Sequence, residues 1–196
     1  SDVHMWRGQD PRTPRPRSLA HDPFGQIVAS NGDKRDIHGQ LLHQGELVLW
    51  ERGVTCGQCY ACAVLHQPAL CSNRWVYGIY RGLDVPPHLN GCYASHIILA
   101  PQTHLLPLET DDPALYVAAS CSGATAAHGF DLAPAQVGDT VVVLGPGPLG
   151  AFSVALTTKL TPCRPGTPPR TESRLTLCQR LGATALLNRH ECEAAE

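Results

Sequence analysis

The sequence has no apolar run that approaches the length of a membrane span. Crossing a bilayer takes about 20 consecutive apolar residues, and residues 1–17 also lack the apolar stretch of a secretory signal. Charge of one sign is lacking as well, because the formal net charge is −2 and no long basic or acidic block occurs. A surface for nucleic acid or for a membrane is therefore not indicated. These absences favour a cytoplasmic protein whose partners are small molecules.

Methionine is almost absent, since Met5 is the only one among 196 residues. The chain opens at Ser1 and Met5 lies within continuing sequence, so we expect the natural start to lie upstream and the chain to be a fragment. Its length suffices for one substantial domain or two small ones, and a hydrophobic content of 43% permits a buried core.

The first part of the chain is predicted to be rich in β-structure. Arginine and proline in residues 5–17 predict a surface loop. Short β-rich runs bounded by glycine and polar residues predict strands at residues 24–29, 46–50 and 93–101. An alanine-rich stretch at residues 112–127 favours a helix, with Pro113 in its first turn.

The later part of the chain has a different pattern. A largely β-branched apolar run at residues 139–144 is typical of a buried parallel strand, and residues 151–160 favour a helix. Four prolines in residues 161–173 exclude an inner strand there. A helix at residues 174–181 is expected to end at Gly182, and residues 183–188 predict one more short strand.

Four of the nine cysteines crowd into one short segment: Cys56, Cys59, Cys62 and Cys71. Four thiolates at about 2.3 Å from one ion complete a closed tetrahedral zinc site, which needs no open position and so implies no catalysis. In a chain without a signal, this spacing favours metal binding over disulfides. Incidental buried thiols and a redox Cys-x-x-Cys pair remain alternatives. A zinc ribbon for nucleic acid is another, although its basic surface is missing.

A glycine-rich turn follows the predicted strand at residues 139–144. GPGPLG at residues 145–150 matches the GxGxxG fingerprint between a strand and a helix, where a pyrophosphate can approach a helix N-terminus. Candidate cofactor-binding residues are Gly145, Gly147, Pro148, Leu149 and Gly150. A glycine-rich turn with no ligand is the alternative. The acidic residue that would contact the ribose about 20 positions later is absent, so the sequence leaves NAD and NADP both open.

The order of five motifs resembles that of the zinc-dependent medium-chain alcohol dehydrogenases. The motifs are SDVH at residues 1–4, AHD at residues 20–22, the cysteine loop at residues 51–78, Cys121-x-x-x-Thr125 and GPGPLG. The resemblance implies a fold of class α/β and β. A GroES-like β-rich catalytic domain is expected over residues 1–125, followed by an incomplete Rossmann-type nucleotide-binding segment over residues 126–196.

The resemblance also implies a catalytic zinc held by two cysteines and a histidine. His21 and Cys121 match two of these ligands, and the third would lie two residues before Ser1. Asp22 stands where the family usually has glutamate near the zinc, and Ala20 where it has glycine. Taken alone, His21 is typical of a packed or solvated histidine and Cys121 of a core thiol. Only their order within the family pattern favours ligands.

The implied reaction is oxidation of an alcohol, or reduction of the matching carbonyl, with NAD or NADP. Zinc acts as a Lewis acid in this family, and hydride passes to the nicotinamide ring. Ser1 and His4 match a proton relay, and Thr125 matches a residue beside the nicotinamide, although His4 alone would be a surface histidine. A homo-oligomer of the full-length protein is compatible with the resemblance.

The proline-rich tract at residues 161–173 departs from the family pattern. Sequence on both sides returns to family character, which suggests a local shift of reading frame as a hypothesis. The family also needs about 150 more residues for the remaining sheet and closing helix. A non-catalytic zinc-binding remnant or interaction module is therefore the alternative to an enzyme.

Overall fold

In the computed structural model, the residues described are 2–12, 16–22, 24–110, 112–160 and 172–187. The chain divides into two units, Ser1–Ser120 and Cys121–Glu196. Among the described residues, no helix is both long and apolar enough to span a bilayer. The domain boundary at residue 125 stays a prediction.

The first unit combines short strands with short helices. Its elements are α1 (Asp2–Trp6), β1 (Phe24–Gln26), β2 (Leu47–Trp50), β3 (Gly53–Val54), α2 (Tyr60–Ala63), β4 (Trp75–Val76), β5 (Leu105–Pro107) and α3 (Ala114–Ala118), with a 3₁₀ turn at Pro68–Leu70. Strands β1, β2 and β5 form an antiparallel sheet with β2 at its centre. The strands predicted at residues 24–29 and 46–50 are thus confirmed, the first as a shorter strand.

The core of the first unit lies against the inner face of β2. Alternate residues of a strand face opposite sides, and Val48 and Trp50 are accordingly buried while their neighbours are half-buried. Tyr77 lies at the centre of this core, where its hydroxyl contacts Thr103 Oγ1 at 2.7 Å and accepts a hydrogen bond from the Ala100 amide. A buried hydroxyl with two partners adds specificity to the apolar packing.

A two-stranded ribbon has one strand before the four cysteines of the cysteine loop and one strand after them. Strands β3 and β4 pair antiparallel, with Gly53 opposite Val76 and Val54 opposite Trp75. Both residues of β3 are buried, and Val76 is buried with Met5 and Ile79 in a smaller apolar cluster. The ribbon therefore ties the two ends of a long loop to the core.

For the first unit, one predicted strand is wrong and one predicted loop is wrong at its first two residues. Residues 93–101 form bends and irregular chain instead of a strand, because their backbone groups bond to scattered partners and not to one ladder. The Tyr93 amide donates to Leu19 O, the Ile98 amide to Leu89 O. The loop predicted at residues 5–17 begins inside α1, where Met5 is buried because its side chain joins the apolar cluster beside Val76.

Helices are the regular elements of the described part of the second unit. A π-helical turn at Ala119–Gly123 leads into α4 (Ala124–Leu132), and α5 (Pro148–Leu160) and α6 (Glu172–Arg180) follow. Helix α5 packs against both α4 and α6, with Val154 and Thr157 fully buried. The helices predicted at residues 112–127, 151–160 and 174–181 are confirmed, and Gly182, at a φ of +103°, ends α6 as expected.

No strand forms at residues 139–144 or 183–187, although the sequence predicts one in each segment. Residue 188, the last of the second predicted strand, lies outside the described residues. A parallel strand exists only where neighbours pair with it. The sequence that would supply the neighbour is the proline-rich tract, and proline cannot donate to a ladder. Val142 and Leu144 are instead 61% and 82% exposed. The tract itself, apart from Glu172 and Ser173, lies outside the described residues.

Candidate metal centres and nucleotide-binding turn

The four predicted cysteine ligands come together at one end of the β3–β4 ribbon. Cys56 follows β3 by two residues, and Cys71 precedes β4 by four. Between them the chain turns through α2, which Cys59 precedes and which contains Cys62, and then through the 3₁₀ turn. We call the four sulfur atoms of Cys56, Cys59, Cys62 and Cys71 the cysteine cage.

The spacing of the cysteine cage suits a tetrahedral metal ion. Its donor atoms all lie within 4.8 Å of one another. Cys59 Sγ lies 3.5 Å from Cys62 Sγ, and Cys71 Sγ lies 3.6 Å from Cys56 Sγ. Four sulfurs at 2.3 Å from one ion would be about 3.8 Å apart, whereas a disulfide bond is about 2.05 Å. The four residues therefore fit zinc as free thiols.

Hydrogen-bond donors of the backbone and of one side chain shift the pKa values of the cage thiols. The Gln58 amide and the Asn73 side chain lower the pKa of Cys56 to about 6, and the Cys62 amide lowers the pKa of Cys59. Burial, followed by the neighbouring Cys59, raises the pKa of Cys62 to about 12. A cation is what would let all four sulfurs carry charge at once.

His21 lies in the first unit between two carboxylates. It is 2% exposed, with Nδ1 3.5 Å from Asp2 Oδ1 and Nε2 3.5 Å from Asp22 Oδ1. Asp2 also accepts a hydrogen bond from the Ala20 amide at 3.1 Å, and its interaction with His21 lowers the Asp2 pKa. Asp2 is not among the predicted site residues, because a contact between α1 and the next segment has no local signal in the sequence.

The backbone beside His21 is tightly constrained. Ala20 has a φ of +73°, the left-handed region that favours glycine, which gives a physical reason for the glycine that the family has at this position. Gly78 lies directly against it, so a Cβ at Gly78 would overlap the Ala20 carbonyl oxygen. The Cys92 amide donates to that same oxygen. These contacts fix the backbone that carries His21.

The other predicted catalytic residues occupy different settings. His4 is exposed on α1, with Nδ1 2.9 Å from Gln9 Oε1. Ser1 lies outside the described residues. In the second unit, Cys121 is half-buried in the π-helical turn, and Thr125 is exposed on α4. A π-turn inserts a residue into the helical register and often marks a functional position.

The glycine-rich turn leads directly into α5. Gly145 has a φ of +98°, and the Ala151 amide donates to Gly147 O as the first turn forms. A Cβ at Gly150 would overlap the Gly145 carbonyl oxygen, so only glycine permits this approach. Pro148 and Leu149 are exposed at the start of the helix. The turn therefore has the compactness that the fingerprint requires.

Comparison with known proteins places these features in one family. Residues 1–110 match the family model described as the alcohol dehydrogenase GroES-like domain. The chain is 31% identical over 158 residues to 5-exo-hydroxycamphor dehydrogenase of Pseudomonas putida, covering 79% of this chain and 42% of that protein. It is 27% identical over 193 residues to L-threonine 3-dehydrogenase of Burkholderia thailandensis, covering 96% of this chain and 51% of that protein.

Solved structures agree with this placement. An alcohol dehydrogenase of Thermotoga maritima is 48% identical with a TM-score of 0.90, covering 98% of this chain and 53% of that one. A protein of Sinorhizobium meliloti, described as a zinc-binding dehydrogenase and solved with NADP, is 26% identical with a TM-score of 0.77, covering 98% and 52%. The chain thus spans about half the length of the relatives it matches. It belongs to the zinc-type medium-chain alcohol dehydrogenase family, with a GroES-like domain followed by an incomplete Rossmann-type segment, as its motif order indicates.

Proposed function

We propose that the protein is an oxidoreductase that transfers hydride between an alcohol, or the matching carbonyl, and NAD or NADP. The observation that carries this proposal is the buried His21 held between Asp2 and Asp22. A histidine with a carboxylate on one ring nitrogen is the usual arrangement of a metal ligand, because the carboxylate fixes the ring and its tautomer. Family membership and the names of the relatives support the same reaction.

The proposal assigns two zinc sites. The cysteine cage would hold a structural zinc, and His21 and Cys121 would contribute to a catalytic one. Bound there, zinc would supply a Lewis acid that polarises the substrate oxygen. Asp2 would hold the Nδ1 side of His21, so that Nε2, on the side of Asp22, serves the metal. Asp22 would keep a negative charge near the ion, at a shorter reach than the family's glutamate.

Proton transfer and cofactor binding are assigned to the chain's other predicted residues. Ser1 and His4 would pass the alcohol proton outward, and the exposure of His4 on α1 suits exchange with water. Thr125 would lie beside the nicotinamide. The turn at residues 145–150 would take the pyrophosphate at the start of α5, where amide groups and the helix dipole favour negative charge.

We propose NAD or NADP as the cofactor and assign no particular alcohol. One relative acts on 5-exo-hydroxycamphor and another on L-threonine, by their names, and the Sinorhizobium structure contains NADP. The position for an acidic ribose contact falls in residues that the structure does not describe. A cytoplasmic location and a homo-oligomeric state also stay predictions from the sequence.

Hydride transfer and cofactor binding should be measured separately, because the chain spans about half its relatives' length. Zinc-loaded protein is mixed with NAD or NADP and a panel of primary, secondary and cyclic alcohols, including L-threonine, and reduced nicotinamide is followed by absorbance. We expect transfer with at least one alcohol, its loss in His21→Ala, and retention in His38→Ala, a matched exposed histidine. Cofactor binding without transfer to or from any alcohol or carbonyl would overturn the enzyme proposal and favour the non-catalytic alternative.

A further inference from the structure

The cysteine cage contains two pairs of sulfur atoms in contact. They are Cys59 with Cys62, at 3.5 Å, and Cys56 with Cys71, at 3.6 Å. We propose that the cage is also a site of oxidative modification, at which a peroxide converts these two pairs into disulfides in that order and the zinc ion is released. The proposal goes beyond hydride transfer and depends only on the cage.

Short displacements suffice for both bonds. Each pair must close by about 1.5 Å to reach the length of a disulfide. Cys59 and Cys62 are separated by two residues at the start of α2, a four-residue helix, so little regular structure resists the movement. Cys56 and Cys71 have a second contact, in which the Cys56 amide nitrogen lies 3.5 Å from Cys71 Sγ.

Solvent access sets the order of oxidation. Cys59 and Cys62 are both half-buried and lie in an exposed segment, whereas Cys71 is buried at 7% exposure. Oxidation follows both thiolate character and access to the oxidant, and zinc would hold all four sulfurs as thiolates, so access is what distinguishes the two pairs. A peroxide should therefore reach the Cys59–Cys62 pair first and the Cys56–Cys71 pair only after the loop has loosened.

The ribbon makes the change reversible. Strands β3 and β4 pair outside the loop, and Val54 and Val76 are buried in the core. The ends of the loop therefore stay together when the metal leaves, which keeps the same cysteines as neighbours. Reduction should then restore the cage without exchange of partners.

The chemistry of each pair balances with hydrogen peroxide. One thiolate attacks a peroxide oxygen, the O–O bond breaks, and a sulfenic acid and hydroxide form. The second thiolate attacks the sulfenic sulfur, the S–O bond breaks, and a second hydroxide leaves. Two protons from solvent convert both hydroxides to water. The two sulfurs lose two electrons and the peroxide gains two. The loss of two thiolate ligands leaves the zinc too weakly held to remain.

The test follows zinc and thiols together in the zinc-loaded chain. Hydrogen peroxide is added in steps, released zinc is measured with a chromogenic chelator, and disulfides are mapped by mass spectrometry of unreduced peptides. The experiment is done with the wild-type chain and with His21→Ala. The variant lacks a ligand of the proposed catalytic site, so zinc released from it comes from the cage alone. We expect Cys59–Cys62 to appear first, release of one zinc per chain, and full rebinding after a dithiol reductant. Cys178→Ala, which removes a buried thiol of α6, should behave as wild type.

Three results would overturn the proposal. In the first, zinc stays bound while other thiols oxidise. In the second, zinc is released but the cage cysteines pair differently, for example as Cys59–Cys71. In the third, zinc is released and sulfinic acids form without any disulfide. None of them bears on hydride transfer, which the absorbance assay tests by itself. A chain that never holds zinc in the cage would overturn this proposal and the structural zinc site together, while leaving that assay to judge the enzyme.

Discussion

At the scale of single residues, Asp2 is the clearest addition that the structure makes to the sequence. Its carboxylate lies against both the Ala20 amide and the His21 ring. The sequence identifies His21 through the resemblance, but it gives no sign that a residue 19 positions earlier lies beside it. Contacts of this kind depend on how α1 packs, and the sequence predicts a loop at Met5, whose buried side chain anchors α1.

Asp2→Asn should remove a pH-dependent part of the stability. The pKa of Asp2 is lowered in the folded state, first by its contact with the His21 ring, so its contribution is present above the unfolded pKa and lost as pH falls through the folded one. The variant should be less stable at pH 7, and the difference should shrink as pH falls through the folded-state pKa of Asp2. Urea unfolding at pH 7 and at successively lower pH measures this, and a deficit that stays constant with pH would contradict it.

Gly78→Ala tests the close approach beside His21. The new Cβ would overlap the Ala20 carbonyl oxygen, and Gly78 has a φ of +68°. We therefore expect the free energy of unfolding to fall by roughly 2 kcal/mol or more. Gly32→Ala is the matched control, because Gly32 has a φ of +82° and open space around it. That control should lose only about 1 kcal/mol. Equal losses would show that the backbone conformation, and not the contact, matters at Gly78.

At the scale of elements, local patterns predict the helices and the cysteine loop, whereas only some of the predicted strands find a partner. The helices at residues 151–160 and 174–181 follow from short-range signals, and α5 and α6 are found there. The cysteine spacing is local too, and the four sulfurs meet as expected. Strands at residues 93–101 and 139–144 required partners elsewhere in the chain. Their composition was suitable, but no ladder forms in the described residues.

The same valine-to-alanine substitution at two positions tests whether residues 139–144 lack a neighbouring strand. Val142 is 61% exposed, whereas Val154 on α5 is fully buried. Val154→Ala should cost about 2 kcal/mol through lost burial and a small cavity. Val142→Ala should change stability by less than about 0.5 kcal/mol. Comparable losses at both sites, measured by denaturant unfolding, would indicate that Val142 lies inside a sheet.

At the scale of the whole molecule, zinc in the cysteine cage should act on the first unit and not on the second. The cage lies in the first unit, where its loop has little regular structure to order it. Zinc binding to such a loop contributes directly to its folding. In the His21→Ala chain, where only the cage is filled, removal of zinc with a chelator should raise hydrogen exchange between β3 and β4 and leave α5 unchanged. Exchange followed by mass spectrometry measures both regions at once, and uniform loosening of both units would contradict the expectation.

The zinc assignments of this protein begin with four sulfurs of one loop that bind one zinc ion. X-ray absorption at the zinc edge measures this coordination on reduced protein carrying His21→Ala, in which only the cage is filled. We expect one zinc per chain, surrounded by four sulfur atoms at about 2.3 Å. A shell containing nitrogen or oxygen, or protein that binds no zinc while its cage thiols are free, would contradict it.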